Sequence, residues 1–174
     1  MSAPCPVCGF DGNTVSPADA AVALRSYLRR YKSVLARPKD QELDADDPAL
    51  RPGDDGWSAT AHALWATIGI NAVNEALHQV FIHDHPDISV PSIDPAAPPP
   101  VDEDTVAILD RLSLAAEGLA VATENATASQ WKRVGETSHG DEVSALDLVR
   151  IAVHQGIHHL RAAERVMREV VGKP

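Results

Sequence analysis

A dense run of prolines in residues 84–101 constrains the fold more than any other feature of this sequence. Proline has no amide hydrogen and a fixed φ angle, so this run can form neither a helix nor a central strand. Residues 38–56 are rich in Asp, Pro and Gly, and we predict an exposed loop there. Helices and central strands must therefore be formed by the residues outside these two segments. The prolines of the run are Pro86, Pro91, Pro95, Pro98, Pro99 and Pro100.

The remaining sequence predicts four long helices. Ser16 precedes Pro17 and Asp19, which is a strong signal for a helix start, and Ser144 with Asp147 gives a similar signal near the C-terminus. Four helices joined by long connections favour an all-α four-helix bundle over residues 16–171, preceded by a Cys-x-x-Cys segment at residues 1–15. The helices are predicted from residue 17 to before residue 38, and over about residues 58–81, 104–123 and 145–171, with an irregular connection at 126–142.

The composition bounds the class of protein. The 174 residues are 44% hydrophobic, which is enough for one domain with a sizeable core. A formal net charge of −10 argues against nucleic acid and against an anionic membrane surface as partners. There is no basic-then-apolar leader and no apolar stretch long enough to span a bilayer, so we expect a soluble, cytoplasmic protein. The alanine-rich sequence is compatible with a homodimer.

Two histidines four residues apart predict a metal site. His154 and His158 project from one face of the last predicted helix, about 6 Å apart along its axis, so that both imidazoles can bind one ion. Two imidazoles do not fill a coordination shell, and a further ligand must come from another helix. His62 lies near the middle of the apolar side of the second helix, which makes it our candidate third ligand. Its alternative role is a buried histidine bonded to a backbone carbonyl or water.

Other residues on the last helix have weaker assignments. Arg161 continues the row of His154 and His158, where it could hold a carboxylate of a substrate if that row faces a pocket. A solvated surface is the simpler interpretation. His159 is predicted to point away from His154 and not to be a ligand.

The first ten residues contain both cysteines of the chain, Cys5 and Cys8, in a Cys-Pro-x-Cys-Gly sequence typical of a zinc knuckle. A complete zinc site needs two more ligands, which His83 and His85 could supply if the proline-rich segment folds back. The alternative is a pair of free thiols. A thioredoxin-like redox role lacks the expected β-α-β context.

These motifs, in this order, resemble the DinB-like superfamily, which includes the mycothiol-dependent maleylpyruvate isomerases and related thiol transferases. The resemblance covers about residues 16–171: a Trp57-Ser58 pair opens a helix, a later connection contains Trp131, and the last helix carries His154-x-x-x-His158-His159. The N-terminal Cys5–Asp11 segment also resembles actinobacterial members. The resemblance implies a four-helix bundle and a divalent metal, zinc or nickel, held by three histidines.

The resemblance also implies an activity. In the family the metal lowers the pKa of a small thiol and presents the thiolate to an electrophile. The family pattern places its second-helix histidine eight residues after Trp57, where this chain has Trp65, and His62 lies one turn earlier. The first hypothesis is therefore a metal-dependent thiol S-transferase or isomerase that uses mycothiol or another small thiol. The second is a non-catalytic bundle that binds metal or dimerises.

Overall fold

The computed structural model describes residues 4–36 and 47–172. The described chain folds around four long helices, and the predicted all-α four-helix bundle is confirmed. The part of the predicted loop at residues 38–46 lies outside the described residues. The helices are α1 (Pro17–Leu35), α2 (Ala59–Ile82), α3 (Thr105–Asn125) and α4 (Ala145–Val171).

Each helix begins at a side-chain cap. The Ser16 hydroxyl accepts a hydrogen bond from the Asp19 amide, and the Asp19 carboxylate accepts one from the Ser16 amide, which completes a capping box. Ser58, Asp104 and Ser144 each accept a hydrogen bond from the amide three residues further along the chain. The caps satisfy amides that have no partner inside a helix, so they fix the start of each helix at the residue where the chain enters the bundle.

The helices do not pack in sequence order. α1 packs mainly against α3 and α4, and α2 packs mainly against the same two helices, while α1 and α2 touch very little. Helices α1 and α2 therefore stand at opposite corners of the bundle. Long connections are needed to reach across it, which explains the loop-rich stretches before α2 and α4.

Two buried tyrosines of α1 anchor α4. The Tyr27 hydroxyl donates to the carbonyl oxygen of Val153 at 2.7 Å, and the Tyr31 hydroxyl donates to that of Gly156 at 2.9 Å. Gly156 lets the helices approach closely, because a Cβ at this position would lie only 2.2 Å from Cε2 of Tyr27. The glycine inside the His-x-x-x-His sequence therefore has a packing role.

The connections contain a small sheet that the sequence did not predict. Strand β1 (Asp87–Ile88) pairs in parallel with β2 (Val134–Thr137), which pairs antiparallel with β3 (Glu142–Ser144). The expectation of an irregular connection at residues 126–142 is thus wrong in part. A turn with Gly140 at φ +82° joins β2 to β3. The strands are too short to show an alternation of apolar and polar residues in the sequence. Strand β1 lies at an edge of the sheet, the position in which proline is tolerated.

The middle of the proline-rich connection lies across α2 and α4, and we name residues 91–94 the strap. Three buried or half-buried side chains donate hydrogen bonds to its backbone carbonyls: Trp65 at 3.1 Å, Gln155 at 3.2 Å and His159 at 3.0 Å. The strap lacks regular structure of its own, so these side chains satisfy its polar groups and hold it in place.

Helix α2 is buried on more sides than its helical wheel indicates. Thr67, which the wheel places on the water side, is fully buried and its hydroxyl donates to the Ala63 carbonyl. The strap covers part of the α2 surface that would otherwise be exposed. Although α2 is rich in apolar residues, neither it nor any other described helix is long and apolar enough to cross a bilayer.

Candidate metal centre

The N-terminal segment folds into a knuckle against α4. The Gly9 amide donates to the Cys5 carbonyl at 2.8 Å, and the Cys5 amide donates to the Phe10 carbonyl at 2.8 Å. Gly9 has φ +72°, a conformation that favours glycine, and it closes the turn between the two cysteines. The Phe10 ring stacks on His154 with centroids 5.0 Å apart. These contacts place both sulfur atoms next to the histidines of α4.

Four side chains converge at this point. One ligand atom from each of Cys5, Cys8, His154 and His158 lies within 4.8 Å of the other three, and this is a group that could hold a metal ion. The Cys5 sulfur lies 3.7 Å from Nδ1 of His158. Ligand atoms of a tetrahedral zinc ion lie about 3.4–3.8 Å apart, given Zn–S of about 2.3 Å and Zn–N of about 2.1 Å. The Cys5–His158 separation falls in this range, and all separations within the group are at most 4.8 Å.

The state of the donor atoms also fits a cation. Nε2 of His154 is buried and has no hydrogen-bond partner, which is costly unless an ion or a donor occupies the space beside it. Burial, together with the neighbouring Cys5, raises the pKa of the Cys8 thiol to about 11. A divalent cation reverses that effect, because it stabilises a coordinated thiolate.

A carboxylate orients the second histidine. Nε2 of His158 lies 3.0 Å from Oδ1 of Asp94 in the strap, while Nδ1 of the same ring faces Cys5. A metal-bound histidine commonly donates its other N–H to a carboxylate, which fixes the ring and makes the ligating nitrogen more basic. The strap therefore supplies a partner for the candidate ligand that no local sequence pattern indicated.

The structure does not bring His62 into this group. Its Nδ1 lies 3.1 Å from Nδ1 of His159, and its ring stacks on Trp57 with centroids 4.8 Å apart. His62 is buried, as predicted, but its nitrogens face another histidine and the carboxylate of Asp55 rather than the cysteines. The N-terminal sulfurs occupy the side of His154 and His158 where a third histidine was expected.

His159, which was not predicted to be a ligand, lies outside the group of four side chains. It is 2% exposed and lies between His62 and the strap, where Nε2 faces the carbonyl of Ile93 at 3.0 Å. Burial lowers the pKa of His62 to about 4 and that of His159 to about 3, so both rings are neutral at pH 7. The strap, which is distant in the sequence, covers His159, so the burial of this ring does not follow from the sequence of α4 alone.

A cavity of about 170 Å³ adjoins both histidine groups. Its polar lining includes His158 with Asp94 on one side and His62 with Asp55 on the other. Arg165 also lines it and donates to Asp55 at 2.6 Å. The apolar part of the wall is formed by Val7, Trp57, Pro95 and Ala162.

Other residues singled out in the sequence lie outside the group of four side chains. Arg161, which could hold a substrate carboxylate only if its row faced a pocket, is exposed and does not line the cavity, whereas Arg165 one turn later does. Trp65 donates its indole N–H to the strap. His83 and His85 are exposed and do not complete a site with the cysteines; Nε2 of His85 lies 3.5 Å from the carboxylates of Glu136 and Glu142.

Fold and side-chain cluster together define a helical-bundle protein with a candidate metal centre. Among solved structures, the chain is similar to YfiT from Bacillus subtilis, a probable metal-dependent hydrolase with an unusual four-helix bundle topology. The two proteins are 14% identical over 89% of each chain, with a TM-score of 0.65. At this identity the similarity establishes the fold. No protein-family model and no curated protein matches the sequence.

Proposed function

We propose that this protein is a zinc-binding four-helix bundle of the DinB-like type. Cys5, Cys8, His154 and His158 would hold the ion, and their convergence within 4.8 Å is the observation that carries the proposal. A tetrahedral set of two sulfurs and two nitrogens favours zinc over nickel, which prefers tetragonal nitrogen and oxygen ligands. The positive charge of the zinc ion would compensate the negative charges of the Cys5 and Cys8 thiolates, which are partly buried.

Four protein ligands fill a tetrahedral shell, which is typical of structural rather than catalytic zinc. In this role the ion fastens the N-terminal knuckle to α4, where the Phe10 ring already packs on His154. Reduced thiols are required for such a site, in agreement with the expectation of a cytoplasmic protein that has no disulfide framework.

A metal-dependent thiol S-transferase or isomerase that uses mycothiol is the second candidate function. The sequence resemblance favours it, and a cavity lies beside His158, one of the candidate metal ligands. YfiT, which shares the fold, is a probable metal-dependent hydrolase. This function needs a free coordination position, so one of the cysteines would have to leave the ion before a substrate thiol could bind.

The first experiment is elemental analysis of the purified full chain and four variants. We expect about one zinc per chain. We also expect loss of zinc from Cys5→Ser/Cys8→Ser and from His154→Ala, and full zinc in His62→Phe and in the exposed control His78→Phe. Zinc retained by the double cysteine variant would refute the ligand set, as would wild-type protein that stays metal-free after incubation with zinc.

A cobalt-substituted protein separates the two functions. Tetrahedral Co²⁺ with two thiolates has intense charge-transfer and visible bands that report the ligand set. For the closed site we expect spectra that do not change when a small thiol is added. A thiol-dependent change, absent from His154→Ala, would instead support the enzyme.

A further inference from the structure

The pair formed by His62 and His159 leaves one acceptor atom without a partner. Nε2 of His159 bonds the carbonyl of Ile93 at 3.0 Å, and a carbonyl only accepts, so in the uncharged ring that burial to 2% exposure favours, the proton is on Nε2. Nδ1 of His159 then carries a lone pair. The facing Nδ1 of His62, 3.1 Å away, must donate to it. The tautomer of His62 is therefore fixed, and its Nε2 is an acceptor.

That acceptor is buried and unsatisfied. His62 is 5% exposed, and Nε2 has no hydrogen-bond partner. Oδ2 of Asp55 lies 3.8 Å from it and is a second acceptor. Two acceptors at this distance do not bond each other. A nitrogen about 2.9 Å from both, however, can donate one hydrogen bond to each, because the two directions then differ by roughly 80–85°.

The other polar groups of the cavity also favour an occupant that donates hydrogen bonds. Three donors of the lining already have partners: His158 faces Asp94, Arg165 faces Asp55 and also Glu169 outside the cavity, and His159 donates to the Ile93 carbonyl. The lining has two negative charges against one positive charge. An occupant that brings its own N–H groups and a positive charge matches these conditions.

A second metal ion fits less well than an organic cation. His62 and Asp55 offer only two ligand atoms, and among the described residues no further His, Cys, Asp or Glu joins them in a metal-binding group. The apolar wall suits a short alkyl chain. At about 30 Å³ for each water-sized atom, a cavity of 170 Å³ holds about five or six heavy atoms.

We propose that this cavity binds a small primary ammonium compound, whose N–H groups donate to Nε2 of His62 and to the carboxylate of Asp55. The site is separate from the four candidate metal ligands, except that His158 lines both. It therefore goes beyond the zinc-binding function.

Nitrogen NMR of the ¹⁵N-labelled, zinc-loaded full chain tests the tautomer first. The two ring nitrogens of His62, assigned by their loss in His62→Phe, should show a pyridine-like Nε2 and a pyrrole-like Nδ1. The opposite pattern would overturn the proposal before any ligand is added.

Titration then tests binding. Propylammonium chloride should shift the Nε2 signal with a dissociation constant on the order of 1 mM or below. Tetramethylammonium chloride has the same charge but no N–H donor and should bind at least tenfold more weakly. Equal binding of the two cations, or no binding of propylammonium, would overturn the proposal and leave the space to water.

Variants locate the site. Asp55→Asn keeps the shape of the side chain and should weaken propylammonium binding at least tenfold, as should His62→Phe. The control His78→Phe changes an exposed histidine of α2 outside the cavity and should bind like the wild type. Unchanged affinity in both site variants would contradict the proposal, and the tautomer measurement stands on wild-type protein if either variant fails to fold.

Discussion

Replacing Gly156 by alanine tests how closely α1 packs on α4. The added Cβ would lie 2.2 Å from Cε2 and 2.4 Å from Cζ of Tyr27, well inside the contact distance of carbon atoms. The ring cannot simply move aside, because Tyr27 is fully buried and its hydroxyl is bonded to the Val153 carbonyl.

The magnitude follows from three opposing effects. Overpacking costs about 1–3 kcal/mol, and loss of the buried Tyr27 hydrogen bond costs a further 1–3 kcal/mol or so. The higher helix propensity of alanine returns about 1 kcal/mol. We expect Gly156→Ala to lower the free energy of unfolding by about 2–4 kcal/mol and the melting temperature by roughly 5–15 °C.

Urea denaturation followed by circular dichroism measures this change. Gly118→Ala in α3 is a matched control, because Gly118 is exposed and its nearest neighbour is Nδ2 of Asn74 at 3.7 Å from the added Cβ. The control should be stabilised by up to about 1 kcal/mol. If Gly156→Ala proves as stable as Gly118→Ala, the close approach of α1 and α4 is wrong.

Three further predictions address other contacts. The free energy of unfolding should fall as the pH drops from 6.5 toward 4. Histidines of the unfolded chain, with a pKa of 6.5, bind protons in this range, whereas the buried His62 (pKa about 4) and His159 (pKa about 3) stay unprotonated in the folded protein. Urea titrations at several pH values should show that, in His159→Gln, the free energy of unfolding changes with pH less steeply, by up to about 1.4 kcal/mol per pH unit. Arg133→Met should lower the free energy of unfolding by about 1–3 kcal/mol in thermal melts, because the guanidinium donates to the carbonyls of Val80 and His83 at the end of α2. A change below about 0.5 kcal/mol would show that water replaces the guanidinium as the donor to these carbonyls. Tyr31→Phe should cost about 1–2 kcal/mol in urea denaturation, since it leaves the buried Gly156 carbonyl short of one donor, and a neutral effect would contradict that bond.

Local signals allowed the fold to be predicted. The caps at Ser16, Ser58 and Ser144 and the prolines of the two connections mark helix ends through nearest-neighbour chemistry, which a single sequence displays directly. The strands β1 to β3 were not predicted, because only two or three residue pairs join neighbouring strands and so short a strand shows no periodic pattern in the sequence.

The candidate site was predictable only in part. The spacing of His154 and His158 shows that they share a helix face, but their neighbours come from remote segments. Cys5 is 153 residues from His158, and Asp94 reaches the same ring from the strap. Burial of His159 likewise depends on the strap. These long-range contacts depend on the path that the connections take across the bundle, and no local sequence pattern specifies that path.

The separation of Cys5 from His158 has a consequence for biosynthesis. The ribosome synthesises the knuckle before α4, so the thiols emerge well before the imidazoles that face them in the folded protein. Until α4 is synthesised, the two cysteines lack the histidines that face them. The four candidate ligands can therefore come together only after α4 has been synthesised, and a nascent polypeptide truncated before α4 lacks both imidazoles.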